Sequence, residues 1–175
     1  MVDVHTPLAQ LNEALESSLE KDGPALEVRV AVIAGERRYL LAADSLEEVG
    51  LVPAISRLGR MPAHVLGLAS FRGVPYTLID ASGWLGDAPL EDPEDAWAVL
   101  LKDEAVDVAL VWPKMTGLFP LGAYTQDPAA PLLPATTRAF LDLNGARWYE
   151  LDLVTIVNRL RHFATPEFAK ENLPS

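Results

Sequence analysis

Short apolar runs, each cut off by a turn pair, fill the chain from Leu26 onward, and this pattern constrains the fold more than any other feature. Val28-Arg29-Val30-Ala31-Val32-Ile33 reads as a strand, Gly35-Glu36-Arg37 as a turn, and Arg38 to Ala43 as the returning strand. Val65 to Phe71, the Arg72-Gly73 turn and Val74 to Ile79 repeat the arrangement. So do Trp97 to Leu101 and Val106 to Trp112 around Asp103-Glu104. A last hairpin joins Ala139 to Leu143 with Arg147 to Leu151 through Asn144-Gly145, the dipeptide preferred in type I′ turns. No regular strand–helix–strand alternation occurs, which argues for small β-barrels over a parallel sheet.

Helical periodicity is confined to short stretches. Thr6-Pro7 opens one, as N-cap and first-turn proline, and Leu8, Leu11, Leu15 and Leu19 follow at steps of three and four. Residues 1–22 therefore predict an amphipathic N-terminal extension, either docked on its own domain or reaching a partner. Asp44, with Glu47 three residues on, predicts a capping box and a short helix ending at Val49-Gly50. Asp80 predicts the cap of a helical turn through Trp84-Leu85. Asp152 predicts the cap of a C-terminal helix with Val154, Ile156, Val157 and Leu160 inward, and Thr165-Pro166 a last turn. The two strand–Asp–helix passages lie 152 − 80 = 72 residues apart, an internal echo of two related halves. The acidic loop Gly86 to Asp95 reads as the boundary between them.

Composition removes several functions. With 25 acidic residues against 14 basic, the net charge of −11 disfavours nucleic acid and anionic lipid as partners. The absence of cysteine excludes disulfide scaffolds, thiolate metal sites and cysteine nucleophiles. No basic-then-apolar leader opens the chain, and Pro113, Lys114 and Pro120 break its longest apolar stretch, so direct membrane insertion is not expected and a cytoplasmic location is. His5, His64 and His162 show no metal-ligand spacing, and no glycine-rich phosphate loop occurs. Ser70 and Ser82 occupy no nucleophile elbow, and Asp80 is better explained as an N-cap than as a catalytic acid. No catalytic residue, metal or cofactor is expected. Arg72, at a turn between apolar strands, calls for a carboxylate, and Glu47 and Glu48 are the nearest candidates. Four tryptophans (Trp84, Trp97, Trp112 and Trp148) supply core, with one or two available for a seam between barrels.

One segment carries a resemblance. Tyr39 to Ala43, Leu46-Glu47-Glu48-Val49, Pro62-Ala63-His64-Val65-Leu66-Gly67, Phe71-Arg72-Gly73 and Pro75 to Asp80 follow one another in the order and near the spacing of the CheW family. The family pattern is roughly V-x-E-I, a proline loop, then P-x-x-x-x-G-x-x-x-L-R-G-x-x-x-P-x-x-D-L. The later family motif G-L-x-V-D-x-V is replaced by Ala109 to Met115, Pro75 comes two residues early, and Ala81 stands where leucine is usual. These departures describe a divergent branch. The N-terminal extension, with Phe163 and Phe168 after the C-terminal helix, resembles the PilI-type members that serve type IV pili and twitching motility.

The resemblance implies a mainly β fold of two SH3-like five-stranded barrels, with an N-terminal and a C-terminal helix. The expected division is residues 26–88 with 149–160 in the first barrel and 96–148 in the second. It implies a non-enzymatic adaptor, found at receptor arrays, that couples the helical cytoplasmic tip of a methyl-accepting chemoreceptor to the regulatory domain of a CheA-type histidine kinase. Leu46, Trp97 and Leu118 fall on receptor-groove positions, and Glu48 and Arg72 on an ion pair that shapes the same surface. Two alternatives remain open: a CheW-like spacer or antagonist that does not bind the kinase, and, more remotely, a small β-barrel ligand-binding domain or enzyme.

Overall fold

Eleven strands and two short helices make up the described part of the chain, residues 26–103 and 106–161 of a computed structural model. Strands β1 (Val28–Ala34) and β2 (Arg37–Ala42) form the first hairpin, with Gly35 at a positive φ of 62° in its turn. A single 3-10 turn leads to β3 (Leu46–Leu51). Strands β4 (Val65–Phe71) and β5 (Val74–Asp80) form the second hairpin and run into α1 (Ala81–Trp84). Then come β6 (Trp97–Leu101), β7 (Val108–Trp112), β8 (Lys114–Pro120), the two-residue β9 (Thr125–Gln126), β10 (Thr136–Leu141), β11 (Arg147–Leu151) and α2 (Leu153–Leu160). The predicted extension at residues 1–22 and the turn at Thr165-Pro166 lie outside the described residues.

Two sheets result, with strand orders β8-β1-β2-β11-β10-β9 and β3-β6-β7-β5-β4. Leaving out the short β9, the two orders are the same motif used twice. Each has an antiparallel hairpin (β1-β2 or β6-β7), an antiparallel strand on one side (β8 or β3), and on the other a parallel neighbour (β11 or β5) that forms a hairpin with the strand before it. That parallel strand leads into the Asp-capped helix in both cases. The echo between Asp80 and Asp152 is therefore structural, and the fold is the mainly β, two-barrel architecture expected.

The division of the chain differs from expectation. The expected first barrel holds residues 26–88 with 149–160, yet β1 and β2 pair with β8, β11 and β10, while β3, β4 and β5 pair with β6 and β7. Each half thus donates its opening hairpin to the other half's three strands. Such an exchange is set by non-local pairing, which sequence order does not carry.

Side-chain alternation along the strands builds three apolar clusters. Val30, Val32, Tyr39 and Leu41 of one sheet face Val99, Leu101, Leu110 and Trp112 of the other, forming the large shared core, which α2 covers with Leu153, Ile156, Val157 and Leu160. The opposite face of the second sheet holds Leu78, Ala98, Leu100, Ala109 and Val111 around a separate cluster. The opposite face of the first sheet holds Ala31, Leu40, Phe140 and Trp148. Past β3 the chain returns to β4, where Ser56 and Leu68 exchange backbone hydrogen bonds of 2.8 and 2.9 Å and close the second barrel. Gly67 makes this approach possible, because a Cβ there would collide with the Ser56 carbonyl and its φ is +142°.

Two local expectations fail. The capping-box helix from Asp44 is a 3-10 turn with no side-chain cap, followed by β3, whose register against β6 runs from Leu46–Leu101 to Leu51–Trp97. Cross-strand packing overrode the local helix signal. The Asn144-Gly145 turn is not type I′, since Asn144 keeps a negative φ and only Gly145 (+79°) enters the left-handed region. Leu143-Asn144-Gly145 forms a three-residue loop instead. Asp142 fixes it by accepting the Asn144 and Ala146 amides on Oδ1 and the Trp148 indole on Oδ2.

Candidate functional site: the Glu48–Arg72 surface and the Trp97 seam

The β4-β5 hairpin turns on two residues, Arg72 (φ 51°) and Gly73 (φ 80°), both left-handed as a type I′ turn requires. For arginine this conformation costs about 1–2 kcal/mol. It projects the guanidinium outward, where Arg72 Nε stands 3.4 Å from Glu48 Oε2 on β3. The arginine side chain is 75% exposed and the glutamate only 18%. Because β3 and β4 are opposite ends of the strand order, the pair bridges the place where the second sheet curls round on itself.

Around this pair the hairpin is apolar. Phe71 stacks edge-on with Tyr76 at 5.5 Å, and Val74 is exposed beside them. Burial pushes the Tyr76 hydroxyl above its usual range, and the carboxylates of Asp107, Glu47 and Glu48 push the same way, whereas Arg72 opposes them. The surface is thus one exposed cation in an acidic border over aromatic ground. Such a patch suits protein contact better than it suits a small anion.

The three residues assigned to a receptor groove are placed differently from one another. Leu46 is 4% exposed and Leu118 9%, both within the shared core. Trp97 is half-buried and packed against that core. Its register partner Leu51 is 56% exposed, so the apolar face at the β3-β6 end consists of Trp97 and Leu51. The sequence does not single out Leu51, which follows the Val49-Gly50 stop of the expected short helix.

The carboxylates that could suggest catalysis have structural partners. Asp80 accepts the Gly83 amide on Oδ1 (3.2 Å) and the Leu90 amide on Oδ2 (3.0 Å), capping α1 and fastening the acidic loop. A Cβ on Gly83 would stand 2.7 Å from Asp80 Oδ2 and 3.0 Å from His64 Nδ1, so glycine is needed there. Asp87 accepts the Tyr39 hydroxyl at 2.9 Å and lies 3.3 Å from Arg37 Nε. Burial, reinforced by Asp87, holds the Tyr39 hydroxyl well above its usual range. Among the described residues no group of histidines and carboxylates is arranged to hold a metal ion, and no helix is long and apolar enough to cross a membrane.

The CheW-like domain family profile matches residues 30–161. No curated protein sequence matches the chain. Among solved structures, the fold is similar to the scaffolding protein TtCheW from Thermoanaerobacter tengcongensis, with a TM-score of 0.60 at 15% identity, covering 71% of this chain and 88% of that one.

Proposed function

The chain belongs to the CheW-like domain family, and from that premise we propose that it is a non-enzymatic adaptor that couples chemoreceptors to a CheA-type histidine kinase. In this reading the helical tip of a methyl-accepting receptor packs at the seam marked by Trp97 and Leu51, with the buried Leu46 and Leu118 forming the ground beneath. The kinase regulatory domain takes a separate face of the barrels, and the protein sits at receptor arrays on the cytoplasmic side.

The observation that carries the proposal is the Glu48–Arg72 bridge. An arginine in a left-handed turn conformation, held over a mostly buried glutamate and left largely open to solvent, is an expensive arrangement for an ion pair of this exposure to stabilise. Presentation to a partner explains it. The mechanism is geometric. Both sheets share one core, so a receptor contact on one face and a kinase contact on another stay in fixed relation, and a shift of the receptor changes the population of active kinase. Output to type IV pili belongs to the same proposal and draws on residues 1–22, Phe163 and Phe168.

Reconstitution tests it. Receptor cytoplasmic fragments, the CheA-type kinase of the same organism and this protein are mixed, and kinase autophosphorylation is followed with and without the adaptor. Receptor-dependent control that requires the protein supports coupling. Assembly without any effect on the kinase would favour a spacer.

A further inference from the structure

The third apolar cluster is open on one side. Outside its buried members Ala31, Leu40, Phe140 and Trp148 stand the half-buried Phe119, Leu121 and Tyr124. Their outer surface joins an open cleft of about 550 Å³ whose walls include Leu26, Pro120, Leu121, Tyr124 and Phe140, with Arg138 among the lining residues. Leu26 itself is 64% exposed there. On the corresponding cluster of the other sheet Leu90 packs, with its amide anchored to Asp80.

We propose that the segment Leu8 to Leu19 of the same molecule occupies this cleft and closes the third cluster with its leucine stripe. The described chain begins in the cleft wall at Leu26, and the Leu121 amide holds the Glu27 carbonyl at 2.7 Å, so the preceding segment enters at the rim. Gly23-Pro24-Ala25 can span only about 10 Å, which keeps the segment at an effective concentration on the order of millimolar. Leu8, Leu11, Leu15 and Leu19 recur as one helical face, with Glu13, Glu16 and Glu20 off it. Arg138 lines the cleft beside Glu27, is paired with Glu150 at 2.8 Å and lies over the Phe140 ring, so the apolar stripe and not charge carries the fit. Arg161, the last described residue, pairs with Asp103 at 3.8 Å beside the β6-β7 connection.

The cysteine-free sequence makes the test clean. Gly122 lines the cleft, and an added Cβ there meets nothing within 4 Å. Gly122→Cys is combined in the full chain with Leu11→Cys, Leu15→Cys or Leu19→Cys, and with Glu13→Cys as the off-face control. The proposal predicts that at least one leucine-position pair closes an intramolecular disulfide in the monomer about tenfold faster than the control. It also predicts that deleting residues 1–22 speeds amide exchange in residues 119–126 and 138–141 by about tenfold. Should the deletion unfold the protein, the cysteine pairs decide alone. A disulfide-linked dimer would place the segment on another molecule and overturn the proposal. So would oxidation of every pair at the control rate, or exchange unchanged in a folded deletion.

Discussion

Arg29 and Glu150 lie 121 residues apart in the chain and meet at 2.8 Å, Nε to Oε2, with their side chains 8% and 10% exposed. The bond reaches from β1 across β2 to β11, joining the two halves that exchange strands. Arg138 adds bonds of 2.9 and 3.0 Å to the same carboxylate, and the Thr137 hydroxyl donates at 3.1 Å. Glu150→Ala leaves the buried Arg29 guanidinium with only the exposed Glu27 carboxylate, 4.0 Å away, as counter-charge, at a cost of about 3 kcal/mol. Urea unfolding is expected to show a midpoint lowered accordingly. A loss under about 1 kcal/mol would mean that the triad does not hold the halves together.

The same carboxylate makes stability fall in acid. Burial alone would raise the Glu150 carboxyl, but Arg29 and Arg138 outweigh it and hold the group below its ordinary range. The Asp142 carboxyl is likewise held low, burial being outweighed by the Trp148 indole and the Ala146 and Asn144 amides. The Thr155 hydroxyl and amide lower Asp152. Near pH 4 the unfolded chain takes up protons that the folded chain still refuses, so stability rises with pH in this window. The contribution is complete above the unfolded values and is lost as pH falls through the folded ones. Urea midpoints taken from about pH 6 down to about pH 3 are expected to drop at the acid end, and a flat profile would contradict the assignment.

How far the sequence disclosed this arrangement depends on the range of the interaction. Asp80 and Asp152 were legible as caps because an N-cap acts within three residues, and both bonds are present. The Phe71-Arg72-Gly73-Val74 hairpin was legible for the same reason, and Glu48 proved to be the partner of Arg72. β3 was not legible, since Asp44 and Glu47 imitate a capping box and only pairing with Trp97–Leu101 makes the segment a strand. Nor could the sequence distinguish a groove leucine from a core leucine. Leu46 and Leu118 are buried by a sheet exchange that no local pattern encodes.

Reversal of the surface pair separates presentation from stability. With Arg72 this exposed, the ion pair contributes at most about 1 kcal/mol to folding. Arg72→Glu is expected to move the urea midpoint little and to lower receptor-fragment affinity about tenfold, a binding loss of about 1.4 kcal/mol. The swap Glu48→Arg with Arg72→Glu is expected to recover part of that loss, as read by co-sedimentation with receptor fragments. Unaltered receptor binding by Arg72→Glu would remove the pair from the interface.

Substitutions at the three assigned groove positions should divide. Leu46→Ala and Leu118→Ala empty core volume and are expected to cost about 2–5 kcal/mol of stability. Trp97→Ala, at a half-buried site, is expected to lose receptor affinity beyond what its smaller stability change explains, and Leu51→Glu to do so with almost no stability change. Thermal melts alongside receptor titrations resolve the two effects. Equal affinity in Leu51→Glu and the unaltered protein would move the receptor contact away from this seam.

Coupling stands or falls on calorimetric titration of the full chain with the regulatory domain of the CheA-type kinase from the same organism. Saturable binding at a stoichiometry near one to one, retained in Leu51→Glu, is the predicted result, since the proposed kinase face is separate from the Trp97–Leu51 seam. No heat of binding at high concentration, with both proteins shown to be folded, would contradict the coupling role and leave a CheW-like barrel pair that has kept the fold without the kinase.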